Sequence, residues 1–177
     1  MKIQTGTIER LRDALLQSGR RPSVVMSSAY ETLTREGLLG PEEASALSRV
    51  DPLAESMYLM MSVDGKLADA ERDAVRGAIR GLTNDLLRSG TINVMLENYA
   101  RRLAEQGRDE RLREIAEEMA GETSEAEAAF ALSAAVALAD EEVTDEENAF
   151  INQLADWFGI APERSAQILD QLDEDKG

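Results

Sequence analysis

The sequence predicts an all-α fold, a bundle of about seven to nine helices with an internal pseudo-two-fold repeat. Apolar residues recur at helical spacing in segments that Gly and Pro separate, and the whole chain has only four prolines. Aromatic residues make up 4% of the chain, so aliphatic side chains and methionine must fill the core that a 43% hydrophobic composition allows. The repeat consists of two hairpins, each made of an apolar helix, a short acidic turn and a second helix.

Glycine, proline and capping residues divide the chain into helices. Gly19 ends the first helix, and Pro22 begins the second. Asp51-Pro52 opens the first of two central helices, and Thr123 or Ser124 caps the second. That second central helix is almost entirely small and apolar, which indicates close packing on several sides. The predicted spans are 7–17, a helix from 22 that ends at Gly37, a turn at 41–46, 51–63, 69–87, 92–105, 109–119, 123–139, 145–158 and 162–172.

Three parts of the chain follow from these spans. Residues 1–50 are a helical extension that we expect to pack on the same domain, and residues 51–172 form the main helical domain. Residues 173–177 (Asp-Glu-Asp-Lys-Gly) are predicted to be a disordered acidic tail.

The composition excludes several classes of chemistry. The chain has no Cys and no His, so zinc sites, thiol nucleophiles, disulfides and histidine-based catalysis are excluded. A carboxylate site for Ca²⁺, Mg²⁺ or Mn²⁺ remains. The net charge of −16 argues against nucleic acid or an anionic membrane as a partner. Residues 90–177 hold 22 of the 35 acidic side chains and only seven of the 19 basic ones.

The longest apolar run is far shorter than a membrane span. It extends from Ala128 to Ala139 and is interrupted only by Ser133, whereas a transmembrane helix needs about 20 apolar residues. We therefore expect no direct membrane insertion and a cytoplasmic location.

The two acidic turns align with each other at an offset of 76 residues. Each contains an Asp followed, after six residues, by a Glu, and each follows an apolar helix. Such self-similarity is typical of a duplicated structural unit. The aligned pairs are Asp64 with Asp140, Leu67 with Val143, Asp69 with Asp145, and Glu71 with Glu147.

An EF-hand is excluded as the origin of these acids. The positions that would begin a calcium loop are Met60 and Ser62 in the first copy and Val136 and Leu138 in the second, all within apolar helices. Helix capping is a sufficient alternative for much of the pattern, because Thr144 and Glu147 form a capping box. Gly65 suits the left-handed residue after a helix end. Capping and cation binding both remain open from the residues alone.

These motifs resemble the TerB-like family, known from tellurite-resistance proteins and from the N-terminal region of a DnaJ-type co-chaperone. The resemblance extends from about Leu53 to Leu172. It rests on Ser62-Val63-Asp64-Gly65 with the run to Glu71, and on Ala137-Leu138-Ala139-Asp140 with Glu147, Leu154 and Phe158-Gly159-Ile160.

The resemblance implies an all-α bundle of seven or more helices, a link to stress response and an acidic site for a divalent cation. The metal candidates that it carries over are Asp64, Glu71, Asp140 and Glu147. Glu141, Asp69 and Asp145 are possible accessory ligands. The sequence departs from the family at Glu141, which stands where a glycine is expected and adds a carboxylate to the second turn.

Three functions are consistent with these features. The first is a non-enzymatic TerB-like stress-response domain that binds Ca²⁺, Mg²⁺ or Mn²⁺ through the duplicated carboxylates. The alternative is a metal-free protein-interaction module with an acidic surface, whose partner is unknown. The third, a hydrolase with metal-activated water, lacks a nucleophile, a phosphate loop and a histidine. The interaction hypothesis also rests on an arginine-rich segment that contains Arg101, Arg102, Arg108, Arg111 and Arg113.

Overall fold

The computed structural model describes residues 3–17, 39–65, 67–139 and 142–175. These residues form eight helices and no strand, so the all-α prediction is confirmed. The internal repeat as a whole stays a prediction. The helices are α1 (Thr5–Gln17), α2 (Pro41–Met61), α3 (Asp69–Leu82), α4 (Ser89–Gln106), α5 (Arg108–Glu118), α6 (Thr123–Leu138), α7 (Asp145–Trp157) and α8 (Pro162–Asp175).

Helices α2 and α6 form the centre of the bundle, and the contact between them is the most extensive between any two described helices. Small side chains permit this close approach, since Ala54 of α2 and Ala129 and Ala134 of α6 are fully buried. From Ala128 to Ala137 every residue of α6 is buried, as the run of small apolar residues predicts. The remaining helices pack around this pair.

Helix α1 packs against α3, α6 and α8. Ile8 and Leu11 are buried in the common core. Gly81 of α3 makes room for α1, because a Cβ atom there would lie 2.5 Å from Cγ2 of Ile8. At the other end of the chain, the Asp175 carboxylate accepts hydrogen bonds from Thr7 Oγ1 (3.0 Å) and Arg10 Nη2 (2.7 Å).

The structure corrects the predicted tail. Residues 173–175 continue α8, so the expectation of disorder is wrong for them. Burial alone would raise the pKa of Asp175, but hydrogen bonds from Arg10, Thr7 and Gln171 lower it overall. These bonds, together with buried Ile168 and Leu172, hold the last turns of α8 against the bundle. Lys176 and Gly177 lie outside the described residues.

Two helix boundaries also differ from the prediction. Pro52 does not begin a helix but lies inside α2. Leu47 and Val50 before it and Leu53 after it are buried in the same hydrophobic core, so the helix continues through the proline. Helix α3 ends at Leu82 instead of Leu87, because Asn84 (φ 53°) and Asp85 (φ 62°) adopt left-handed conformations. Leu86, which the predicted span placed inside the helix, therefore lies beyond its end and is 42% exposed.

The start of α6 differs in its cap. Glu122 occupies the N-cap position without a side-chain hydrogen bond, so neither Thr123 nor Ser124 caps the helix. The predicted helix after Pro22 lies outside the described residues. No helix among the described residues is both long and apolar enough to cross a bilayer.

Candidate functional site

The two acidic turns lie next to each other in space. The first joins α2 to α3 (residues 62–68), and the second joins α6 to α7 (residues 139–144). The Thr144 hydroxyl donates a hydrogen bond of 3.4 Å to Oδ1 of Asp64, across 80 residues of sequence. This bond places the end of α2 and the start of α7 at the same end of the bundle.

The end of α2 positions Asp64. The Ser62 hydroxyl donates to the Tyr58 carbonyl oxygen at 2.8 Å, and the Gly65 N–H donates to the Ser62 carbonyl oxygen at 3.1 Å. Gly65 has a φ of 129°, a conformation that side-chain-bearing residues rarely adopt, which agrees with its expected role after the helix end. Asp64 is exposed, so its carboxylate is accessible to solvent.

The Glu71 carboxylate begins α3. Its Oε2 accepts a hydrogen bond of 2.8 Å from the N–H of Ala68, the N-cap residue. Ala68 has no side-chain oxygen, so only half of a capping box exists at this helix start. One oxygen of Glu71 is therefore committed to the backbone of its own turn.

Glu147 has a corresponding position in the second hairpin. Its N–H donates to Oγ1 of Thr144 at 3.1 Å, which confirms Thr144 as the N-cap of α7. The Glu147 side chain is buried, with 8% of the residue exposed. Asp69 and Asp145 are exposed in the first turns of α3 and α7, where a negative charge is favoured by the helix dipole.

The remaining candidates, Asp140 and Glu141, lie outside the described residues. Among the residues that the structure describes, no group of three or more Asp or Glu side chains is arranged to hold a metal ion. Of the sequence-predicted ligands, the described structure therefore brings Asp64 to the second turn and assigns Glu71 to a helix start.

A buried ionic cluster was missed by the sequence analysis. Glu55 of α2 is 2% exposed and accepts hydrogen bonds from Arg111 Nε at 2.6 Å and Nη2 at 2.9 Å. Arg102 Nη1 adds a bond of 3.2 Å to the same carboxylate, and Arg111 also pairs with Glu114. The signal for this cluster was that Glu55 is the one charged residue from 52 to 63, a largely apolar part of the sequence.

Part of the arginine-rich segment makes contacts within the molecule. Arg111 is buried, with 4% of the residue exposed. Burial alone would lower the pKa of Arg111, but the hydrogen bonds and charge of Glu55, and then those of Glu114, raise it. Arg113 pairs with Glu110 and Glu117, and Arg108 lies 5.3 Å from the centre of the Phe150 ring. These arginines are engaged within the molecule.

The family model for tellurite resistance protein TerB matches residues 51–170, about two thirds of the chain. The chain belongs to the TerB family. The resemblance predicted from the acidic turns is therefore confirmed. The match begins inside α2 and ends within α8. It therefore contains both acidic turns and does not include α1. No curated protein and no solved structure matches the chain.

Proposed function

We propose that this TerB-family protein is a non-enzymatic stress-response domain that binds a divalent cation at its paired acidic turns. The observation that carries the proposal is the hydrogen bond between Thr144 and Asp64, because it joins two acidic turns that are far apart in sequence. The proposed location is cytoplasmic.

The ligand set in this proposal is narrower than the duplicated motif suggests. Asp64 is the exposed carboxylate of the first turn, and Asp140 and Glu141 are the acids that the sequence supplies to the second. The proposal leaves out Glu71, one of whose oxygens accepts the Ala68 N–H, and Glu147, which is only 8% exposed. Oxygen ligands of this kind suit Ca²⁺, Mg²⁺ or Mn²⁺.

Mutual repulsion explains why a cation would be favoured there. Carboxylates that lie together disfavour their own ionised forms unless protons or a cation neutralise them. A bound ion would also link the end of α2 to the start of α7, so we expect it to stabilise the folded chain.

Calorimetry and thermal unfolding of the full chain with Ca²⁺, Mg²⁺ and Mn²⁺ test the proposal. We expect binding heat and a higher Tm with at least one ion, and an affinity about tenfold lower in Asp64→Asn, because a charged ligand is lost. Asp85→Asn is the matched control, since it removes the same charge from an exposed turn residue at the opposite end of α3. Glu71→Gln should bind as wild type does.

The proposal fails if none of the three ions gives heat or a change in Tm. It also fails if Asp64→Asn binds with wild-type affinity. The metal-free interaction module is the second candidate, and an apolar groove beside Trp157 favours it.

A further inference from the structure

A groove of about 410 Å³ opens between the α5–α6 turn and the α7–α8 turn, away from the acidic turns. Its apolar lining includes Met119, Ala126, Trp157, Phe158 and Ile160. We call it the Trp157 groove. Its volume is within the range of about 300–1,000 Å³ that is typical of ligand pockets.

Two turns with left-handed glycines form the walls of the Trp157 groove. Gly121 has a φ of 84° and Gly159 a φ of 68°. The N–H of Glu122 donates to the Met119 carbonyl oxygen at 2.9 Å, and the N–H of Ile160 donates to the Ala155 carbonyl oxygen at 2.9 Å. These backbone bonds fix both walls, so the groove is preformed and little conformational entropy is lost when it is filled.

Trp157 presents an apolar surface at the groove. Its side chain is 42% exposed, and Trp157 and Leu86 are the two large hydrophobic residues that are exposed in the described part of the chain. An exposed tryptophan beside a preformed groove is typical of an interaction hot spot, because the indole ring offers a large apolar area with little rotamer entropy to lose.

The charge around the groove indicates the partner's chemistry. Glu122, Glu127 and Arg164 line it, and Arg164 is occupied by Glu127 through bonds of 2.6 and 3.2 Å. Glu122 is exposed, and so are Asp156 and Glu163, which neighbour the lining residues in sequence. The net charge of this surface is negative, so it favours a basic partner.

We propose that the Trp157 groove docks a basic segment of a partner protein, which inserts an apolar side chain beside Trp157 and places Lys or Arg near Glu122. Docking at the Trp157 groove does not require a cation at the acidic turns.

The probe is a set of synthetic amphipathic peptides without tryptophan, titrated into the full chain in the presence of a chelator. Trp157 is the only tryptophan in the sequence, so its emission reports on the groove directly. A Leu/Lys peptide is expected to shift the emission to shorter wavelength and to bind. A Leu/Glu peptide of the same pattern and a Ser/Lys peptide of the same charge are expected to do neither.

Calorimetry with variants supplies the decisive comparison. Trp157→Ala should weaken binding of the Leu/Lys peptide by about tenfold or more, as loss of a hot spot does. Leu86→Ala is the matched control, since Leu86 is equally exposed at 42%, and it should leave the affinity unchanged. Glu122→Lys should weaken binding by about threefold, the scale of an exposed charge pair.

Three results would overturn the proposal. Equal affinity of wild type and Trp157→Ala would mean that the acidic surface attracts the peptide without the groove. Equal binding of the Leu/Glu peptide would remove the basic character of the partner. Sedimentation showing a dimer that Trp157→Ala dissociates would assign the groove to a second copy of the chain.

Discussion

Helices α2 and α6 lie side by side at the centre of the molecule, yet different chemistry holds them in place. Helix α2 buries the carboxylate of Glu55, which Arg111 of α5 and Arg102 of α4 clasp with three hydrogen bonds. Helix α6 buries Glu125 in its first turn, but from Ala128 to Ala137 it packs mainly through small apolar side chains, with Ala129 and Ala134 fully buried.

These two kinds of contact hold a central helix in position in different ways. Hydrogen bonds to a buried carboxylate are directional, so they set the rotation and height of α2 relative to α4 and α5. Dispersion contacts between small side chains have no such direction, and their strength depends on how closely the helices approach. We therefore expect α2 to be sensitive to lost charge partners and α6 to be sensitive to added volume.

The largest effect should follow from Glu55→Ala. Removing this carboxylate leaves Arg111 buried without its main partner, so the free energy of unfolding should fall by about 3–5 kcal/mol in urea denaturation. The surface pair between α6 and α8 is the control, because Glu127→Ala breaks its contact with Arg164, and the two side chains are 24% and 50% exposed, respectively. That variant should lose about 1 kcal/mol or less.

A double variant tests whether the loss comes from the unpaired charge. Glu55→Leu with Arg111→Met replaces the buried pair by apolar side chains and should be more stable than Glu55→Ala. If Glu55→Ala is as mildly affected as Glu127→Ala, the buried cluster does not anchor α2 and the contrast with α6 is lost.

The next largest effect should come from overpacking α6. Ala134 is fully buried, so Ala134→Leu has to separate α6 from its neighbours and should cost about 1–3 kcal/mol of unfolding free energy. Ala166→Leu, at an exposed position of α8, is the control and should change stability by less than about 0.5 kcal/mol. A tolerated Ala134→Leu in thermal and urea unfolding would contradict the close-packing account.

Much of the fold was predictable from the sequence, because the residue types along most helices match the burial that the structure shows. The alanine run of α6 identified the most buried helix, since small apolar residues on all faces have no other stable environment. Pro52 misled the sequence analysis because proline usually begins a helix, whereas here burial on both sides of it holds α2 together. The end of α3 was missed because Asn84 and Asp85 adopt left-handed conformations without glycine.

The candidate site was predictable in position but not in the role of each acid. The sequence indicated two equivalent turns, and the contact between Thr144 and Asp64 joins them. The motif could not reveal that Glu71 serves its own backbone, because capping and cation binding select the same acidic residues. Glu55 was missed since its partners are 47 and 56 residues away and only the fold brings them together.

The two turns also differ in how each begins its following helix, although their backbones are nearly the same. Ala68, the N-cap of α3, has φ −72° and ψ 160°, and Thr144, the N-cap of α7, has φ −71° and ψ 163°. Only Thr144 supplies a side-chain oxygen, which accepts the Glu147 N–H. Ala68 therefore has the backbone conformation of an N-cap residue but lacks the side-chain hydroxyl that would accept a hydrogen bond.

The smallest effect should come from exchanging these caps. Thr144→Ala should destabilise the chain by about 1 kcal/mol, and Ala68→Thr should stabilise it by about 0.5–1 kcal/mol, because the backbone at residue 68 already suits a threonine cap. Ala70→Thr, at the exposed second residue of α3, is the control and should cost about a few tenths of a kcal/mol through lower helix propensity. Urea denaturation resolves these differences. If Ala68→Thr instead destabilised the chain as Ala70→Thr does, a threonine at residue 68 would not act as an N-cap. The two turns would then share a backbone conformation but not a capping function.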